Sequence, residues 1–279
     1  MQTGGPKMRK FTLMLALLAS SFAALAGPME DREALIAHYK KMLPDIRFEN
    51  YVYGSLSMSP DAKSQYDEFM SFPSYSMDLE KGQHAWEKPF ANGKQFSSCF
   101  PNGGKNVAGN YPYFDETAGR VVTFENVINA CLKANGEKEL PYGSADMGLL
   151  TAYAKSLSDG MKVDVRVEGK GALAAYEKGK EYYYARRGKL NNSCASCHVD
   201  SAGKLMNGEH LSMMIGQATH YPVFLGGTDI TTLQKRFMQC GKNMGGAPLA
   251  ANSETYNDLE YFMTYMSNGL PMQTPVYRR

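Results

Sequence analysis

The stretch NNSCASCHVD holds the residues with the clearest chemical meaning in this sequence. Cys194, Cys197 and His198 form the pattern C-x-x-C-H, which is the attachment signature of a c-type heme. Two thiols three residues apart on one helical turn reach both vinyl groups of a porphyrin, and the next residue places an imidazole beneath the iron. The motif predicts one heme c, bound covalently through Cys194 and Cys197, with His198 as an axial ligand.

Other uses of a C-x-x-C pair fit this sequence less well. A thioredoxin-like redox pair lies within a βαβ pattern, and no such pattern surrounds Cys194. A zinc ribbon needs a second C-x-x-C pair, which the sequence lacks. Heme attachment is therefore the preferred interpretation.

The N-terminus has the three-part layout of a secretory signal peptide over residues 1–26. Three basic residues are followed by an apolar run from Phe11 to Ala19 and by the small-residue pattern that ends at Ala26. The run is too short to span a membrane stably, so we expect a periplasmic protein with no membrane span in its mature form. The alternative is a buried N-terminal helix. Loss of the segment changes the formal charge from +2 to −1, and neither value indicates binding to nucleic acid or to an anionic membrane.

The rest of the sequence contains a repeat. The stretch LTAYAKSLSDGM at 150–161 aligns without gaps with LEYFMTYMSNGL at 259–270, at an offset of 109 residues. Both place apolar residues at helical spacing. Both have Ser, then Asp or Asn, then Gly near their end, as at a helix C-terminus. Upstream, both copies have a glycine, an aromatic residue four positions later, and then a cysteine, which is Cys99 or Cys194. The sequence therefore predicts a mainly α protein with two tandem cytochrome c-like domains.

The first copy has lost the means to hold heme covalently. Its Cys99 is followed by Phe-Pro-Asn-Gly, with neither a second cysteine nor a histidine, and its other cysteine, Cys131, lies 109 residues before Cys240. With no heme between them, Cys99 and Cys131 can meet in a packed core, and in an oxidising compartment we expect a disulfide between them. Of the five cysteines in the sequence, Cys240 alone is left without a predicted partner.

The predicted organisation has four parts. These are a signal peptide at 1–26, an N-terminal arm at 27–80 with a helix near Asp31 to Met42, a heme-less cytochrome c-like domain at 81–165, and a heme-binding cytochrome c domain at 166–279. The turn-rich stretch at 161–171 marks the boundary between the two copies. We expect few strands.

The motif does not identify the second ligand of the heme iron, on the side opposite His198. Methionine and histidine are common second ligands in cytochromes, and six candidates follow the motif: Met213, Met214, Met238, Met244, His210 and His220. Cys240 is a stronger candidate, because an exported thiol without a partner needs a shielded role such as ligation to iron. If its segment is helical, Arg236 shares its face, where a guanidinium lowers the thiol pKa and binds a sulfur oxyanion. Otherwise Arg236 is an ordinary solvated arginine.

Five features taken together resemble the SoxA family of c-type cytochromes. They are the signal peptide, the degenerate first copy, C-x-x-C-H in the second, RFMQC ending at Cys240, and the closing LEYFMTYMSNGLP. The resemblance covers most of the mature chain. Members are catalytic subunits of the SoxAX complexes of thiosulfate oxidation, and many carry two hemes. The altered site at Cys99 is similar to the single-heme branch.

The resemblance implies a function and a role for each site residue. It implies L-cysteine S-thiosulfotransferase activity on thiosulfate, a small SoxX-like cytochrome c as heterodimer partner, and a SoxYZ-like sulfur-carrier protein. His198 and Cys240 would ligate the heme iron, Cys240 would also be the nucleophile and sulfur acceptor and could carry a persulfide, and Arg236 would bind the anionic substrate. Two alternatives stay open: a simple electron-transfer cytochrome with Met or His opposite His198, and a binding subunit whose heme is structural.

Overall fold

The computed structural model of the protein describes residues 1 and 27–278. The predicted signal peptide, apart from Met1, lies outside the described residues. Within 27–278, no helix is long and apolar enough to cross a membrane. The chain is mainly α-helical with short strands, which confirms the predicted fold class.

The N-terminal arm is largely helical and packs onto the second copy. Helix α1 (Pro28–Met42) has proline in its first turn, where a missing N–H costs nothing, and it buries Leu35 and Tyr39. Short 3₁₀ turns over Phe48–Met58 follow, interrupted at Gly54. Helix α2 (Pro60–Ser71) is N-capped by the preceding serine. The sequence predicted only the first of these helices.

The first copy begins with helix α3 (Ser76–Glu87), which crosses the predicted boundary at residue 80. Three 3₁₀ turns follow, at Phe96–Cys99, Pro101–Gly104 and Ala108–Asn110. Strands β1 (Tyr113–Asp115) and β2 (Arg120–Val122) then form an antiparallel hairpin. Helices α4 (Phe124–Ala134) and α5 (Ala145–Ser156) complete the copy.

The second copy repeats this order and adds a hairpin. Helix α6 (Gly169–Tyr184) precedes the short helix α7 (Cys194–His198), the hairpin of β3 (Leu205–Met206) with β4 (Glu209–His210), and a 3₁₀ turn at Gln217–His220. Strands β5 (Val223–Leu225) and β6 (Asp229–Thr231) pair antiparallel, followed by helices α8 (Leu233–Asn243) and α9 (Glu254–Met266). The last strand, β7 (Val276–Arg278), pairs parallel with β5.

The predicted repeat is present in the helix crossings. A Cβ on Gly82 of α3 would lie 2.2 Å from the carbonyl oxygen of Leu149 on α5, and one on Gly179 of α6 would lie 2.1 Å from that of Asp258 on α9. Only glycine allows backbones to approach this closely. Leu149 and Asp258 are separated by the offset found in the sequence, so each copy packs its first helix on its last in the same way.

The helix starts repeat as well. Thr123 and Thr232 cap α4 and α8, and Ser144 and Ser253 cap α5 and α9, each side chain accepting a hydrogen bond from a backbone N–H of the first turn. Both pairs are 109 residues apart. The caps therefore place Cys131 and Cys240 at matching positions on matching helices.

The segment between the copies is pinned to the end of the chain rather than free. Val163 donates its N–H to Leu270 O at 3.0 Å, and its carbonyl accepts from Gly269 N at 2.9 Å. The side chain of Asn268 bonds both the N–H and the carbonyl of Val165. Because Val163 and Val165 are buried, this connector forms part of the core that the two copies share.

A cluster of charged side chains lies where the copies meet. Lys155 of the first copy donates to the carbonyl oxygen of Tyr221 in the second at 3.2 Å, and it attracts the carboxylates of Glu125 and Glu260. Glu260 also accepts a 2.9 Å hydrogen bond from Gln234. Burial, with repulsion from Glu260, raises the pKa of Glu125 to about 8. Burial likewise lowers the pKa of Lys155.

Candidate functional site

The C-x-x-C-H motif forms helix α7, a single turn that the sequence caps at its start. Ser193 Oγ accepts a hydrogen bond from Ser196 N, and Ser196 Oγ accepts one from Ser193 N, each at 3.1 Å. This reciprocal cap fixes the turn. Cys194 and Cys197 therefore stand on one face with free, half-buried thiols. Burial raises the pKa of Cys194 to about 11 and raises that of Cys197 as well.

The ring of His198 is held through its Nδ1 atom. Nδ1 lies 2.9 Å from Ser212 O and 2.8 Å from Gln217 Nε2. Burial lowers the pKa of His198, and the positive charge of Arg236 adds to the effect, whereas the Ser212 contact opposes it. A neutral imidazole with Nδ1 occupied offers Nε2 to a metal, which is the arrangement of most metal-bound histidines.

The backbone of His198 is anchored by the N-terminal arm. Tyr39 Oη donates to His198 O at 2.6 Å and accepts from Met214 N at 3.0 Å. The same α1 helix places His38 Nε2 3.4 Å from Val199 O. The arm thus positions the motif directly, a role that the sequence did not reveal.

Arg236 and Cys240 lie one turn apart on α8 and share its half-buried face, as the spacing predicted. Burial raises the pKa of the Cys240 thiol, the charge of Arg236 lowers it, and Cys197 raises it. The charge of Arg236 also acts on His198. The charges of α7 and α8 therefore act on one another at a single site. This site contains all five predicted residues, namely Cys194, Cys197, His198, Arg236 and Cys240.

The other candidate ligands lie at several places in the second copy. His210 Nδ1 is engaged by Gly203 O at 2.7 Å within the added hairpin, and His220 is buried in a 3₁₀ turn against the ring of Tyr221. Met213 and Met214 are fully buried in the core. Met238 is half-buried against the core, and Met244 lies just past the end of α8.

The side chains around Cys194 fit a c-type heme. Two free thiols at the attachment spacing and an imidazole with Nδ1 occupied supply the donor set. Beside them, Arg187 Nη1 is buried and has no hydrogen-bond partner among the described residues, while its guanidinium stacks at 3.6 Å on the ring of Tyr182. The other terminal nitrogen, Nη2, donates to Tyr182 O. A half-buried guanidinium with one buried nitrogen left unpaired among the described residues suits a site that receives an acidic group. Sequence reasoning missed Arg187, since a single arginine in a loop carries no distinguishing pattern.

The equivalent site of the first copy is filled by protein. Cys99 and Cys131 form a disulfide with Cα atoms 5.8 Å apart, which confirms that prediction. Beside it, Trp86 stacks on Phe96 at 5.5 Å, and Phe100 stacks on Phe124 at 5.1 Å between ring centroids. Aromatic side chains and the crosslink thus stabilise a copy that lacks the heme-attachment residues.

Comparison with known proteins identifies the family. The sequence profile of the SoxA/TsdA cytochrome c domain matches residues 81–163 and 178–272. The chain belongs to the SoxA/TsdA cytochrome c family. The matched segments correspond to the two copies, and membership in this family implies heme c as the cofactor.

Relatives and a solved structure agree with this family. The L-cysteine S-thiosulfotransferase subunit SoxA of Chlorobaculum tepidum is 43% identical, over 96% of this chain and 97% of that one. The protein of the same name from Allochromatium vinosum is 34% identical, over 98% of this chain and 100% of that one. The crystal structure of SoxXA from P. pantotrophus superposes with a TM-score of 0.67 at 29% identity, covering 74% of this chain and 78% of that chain.

Proposed function

We propose that this protein is the SoxA-type subunit of an L-cysteine S-thiosulfotransferase, which joins thiosulfate to a cysteine of a carrier protein. Relatives that bear this enzyme name match over nearly the whole chain at 43% and 34% identity. They favour this function over that of a simple electron-transfer cytochrome. The observation that supports it best is that Arg236 and Cys240 share one face of α8, where the charge of Arg236 opposes the rise in the pKa of the Cys240 thiol.

The proposed cofactor is one heme c, bound through Cys194 and Cys197, with His198 and Cys240 as ligands of its iron. When bound, it supplies a one-electron redox centre that passes electrons to a partner. The first copy does not offer a second covalent site, because its two cysteines are crosslinked to each other.

Arg236 is proposed to bind the sulfonate end of thiosulfate. A guanidinium presents a planar fork of donors that matches two sulfonate oxygens. It lies one helical turn from Cys240, so a substrate held there directs its sulfane sulfur towards the thiol. The same charge partly offsets the burial that raises the pKa of Cys240, and it thereby favours the reactive thiolate.

The proposed reaction has two bond-forming steps. In the first, the Cys240 sulfur bonds to the sulfane sulfur of thiosulfate, giving an S-thiosulfonate on Cys240 and releasing two electrons to the acceptor chain. In the second, the carrier thiolate attacks that sulfane sulfur, the bond to Cys240 breaks, and Cys240 leaves as a thiolate. Together they convert thiosulfate and a carrier thiolate into a carrier S-thiosulfonate and two electrons. A persulfide on Cys240 is a further proposed state of this sulfur.

The proposed partners follow from the same assignment. The solved neighbour is titled SoxXA, and on this ground we assign a small SoxX-like cytochrome c as heterodimer partner and electron acceptor. A SoxYZ-like protein supplies the carrier cysteine, and the reaction takes place in the periplasm.

The test is replacement of Cys240 by Ala and by Met in the holoprotein with its small cytochrome partner. We expect unchanged heme content and no thiosulfate-dependent mass gain on the carrier cysteine. The paired variant Cys99→Ala with Cys131→Ala, at the matching positions of the first copy, is the control and keeps turnover. Full turnover in Cys240→Met would instead show that Cys240 is inert and not the sulfur acceptor, as the electron-transfer alternative predicts.

A further inference from the structure

The contacts of His198 Nδ1 involve a side chain with no assigned role. Besides Ser212 O at 2.9 Å, the carboxamide of Gln217 lies 2.8 Å from Nδ1 and 2.8 Å from Ser212 Oγ. We propose that Gln217 is a positioning residue that accepts a hydrogen bond from His198 Nδ1–H and so sets how strongly this imidazole donates electrons to the iron. The inference rests on ligation by His198 in the proposed function.

Counting protons decides how the carboxamide must face. An imidazole that binds metal through Nε2 carries its single proton on Nδ1, and this N–H can only donate. An amide nitrogen also only donates, so it cannot satisfy Nδ1–H. Ser212 O only accepts, so Nδ1 carries a proton whether or not metal is bound, and the carboxamide satisfies it only with Oε1 towards the ring.

Rotating the carboxamide by half a turn places an acceptor beside Nδ1–H. The two ends of a carboxamide have the same shape, so Oε1 takes the position of Nε2 without other movement. Oε1 then faces two donors, His198 Nδ1–H and the hydroxyl of Ser212, and one oxygen can accept from both. In this orientation His198 Nδ1–H has two acceptors, Ser212 O and Gln217 Oε1.

The turn that presents Gln217 to His198 is held by backbone contacts. The preceding Gly216 has φ 96°, and a Cβ there would lie 2.3 Å from Tyr51 O in the arm. Gly216 N donates to Ser267 Oγ on the segment after α9 at 3.0 Å, and Gln217 N donates to Met214 O at 3.1 Å. Three separate parts of the fold therefore hold the turn that presents Gln217 to His198.

The electronic consequence has a definite sign. Acceptors on the outer nitrogen of a metal-bound histidine increase the electron density of the ring and favour the higher oxidation state of the metal. Gln217→Leu removes one acceptor and should move the midpoint potential to more positive values. Gln217→Glu replaces it with a charged, stronger acceptor and should move the potential to more negative values. A role in packing alone does not produce shifts of opposite sign.

The experiment is a redox titration of the holoprotein, followed by its visible spectrum, for the parent protein and both variants. Gln83→Leu on α3, which removes a carboxamide bonded to Glu87, is the control and should leave the potential unchanged. Gln217→Asn keeps a polar amide that is too short to reach Nδ1, so its potential should match that of Gln217→Leu. If Gln217→Glu does not load heme, a potential in Gln217→Asn equal to that of the parent protein overturns the inference. Unchanged potentials, or shifts of one sign in Leu and Glu, would overturn the inference.

The electron paramagnetic resonance spectrum of the parent protein separates this inference from the proposed function. A low-spin signal of histidine and thiolate ligation supports the ligand assignment on which both depend. A histidine and methionine signal overturns the assignment of Cys240 in the proposed function, whereas the potentials of the Gln217 variants still test the inference at His198.

Discussion

The phenol of Tyr39 in the N-terminal arm donates a 2.6 Å hydrogen bond to the backbone carbonyl of His198, 159 residues further along the chain. The same oxygen accepts from Met214 N at 3.0 Å. One buried hydroxyl thus joins the arm, the heme motif and the segment that supplies the contacts of the His198 ring. The arm is therefore part of the construction of the site rather than an appendage to two cytochrome-like copies.

Replacing Tyr39 by Phe should leave the amide of Met214 and the carbonyl of His198 without this partner in the core. Met214 N also donates to His198 O at 3.2 Å, so neither group is left unsatisfied, and we expect a loss of about 0.5–1.5 kcal/mol in the free energy of unfolding, the usual net contribution of a hydrogen bond. Chemical denaturation of the holoprotein measures it. Tyr53→Phe is the matched control, since Tyr53 lies in the same arm and its ring packs against Tyr66. Equal stability of the two variants would show that the hydroxyl of Tyr39 contributes nothing.

The disulfide Cys99–Cys131 should stabilise the first copy without affecting the heme site. It closes an interval of 32 residues, which corresponds to about 3–4 kcal/mol of chain entropy removed from the unfolded state. The double variant Cys99→Ala with Cys131→Ala should lower the free energy of unfolding by about this amount and keep the visible spectrum of the holoprotein. Calorimetry and the spectrum check the two parts, and an altered spectrum would show that the copies are coupled through the crosslink.

Features encoded locally were predictable from the sequence, whereas contacts between distant segments were not. The heme motif, the repeat and the helical relationship of Arg236 to Cys240 follow from spacing, and the disulfide follows from the repeat. Tyr39 and Gln217 act through contacts that only the folded chain creates, and neither lies in a pattern that indicates a role. In the arm, the turns over Phe48–Met58 were missed because 3₁₀ turns lack the period of a regular helix. Helix α2 was missed because only Tyr66 on it is buried, which leaves little apolar periodicity.

The charged cluster between the copies predicts a pH dependence of stability. Glu125 keeps its proton in the folded protein up to about pH 8, because its raised pKa lies far above the ordinary value of 4.5 that applies to the unfolded chain. Between these values the folded state binds more protons than the unfolded state, so this group makes the free energy of unfolding fall as the pH rises. Glu125→Gln removes the titration and should flatten the decline.

Urea denaturation at a series of pH values between about 5 and 8 tests this dependence. Glu68→Gln is the control, because Glu68 lies exposed on α2 and its replacement should leave the slope unchanged. A slope in Glu125→Gln as steep as in the parent protein would show that Glu125 is not the group responsible.

Replacement of Arg236 should weaken substrate binding more than it slows the chemistry. Arg236→Lys keeps the charge but loses the fork of donors, and Arg236→Met loses both. Since a hydrogen bond to a charged group contributes about 1.5–3 kcal/mol, we expect KM for thiosulfate to rise roughly 10- to 100-fold in the Met variant and less in the Lys variant.

Steady-state kinetics of carrier modification measure this, with Lys235→Met as the matched control. Lys235 is the neighbouring cation on α8, but it bonds Asp229 at 3.1 Å instead of sharing the face of Cys240. Because adjacent residues of an α-helix are rotated by about 100° around its axis, Lys235 points away from the face of Cys240, and removing its charge should change KM little. If Lys235→Met raised KM as much as Arg236→Met, the effect would reflect general electrostatic attraction of the dianion, and Arg236 would have no specific role in holding the sulfonate.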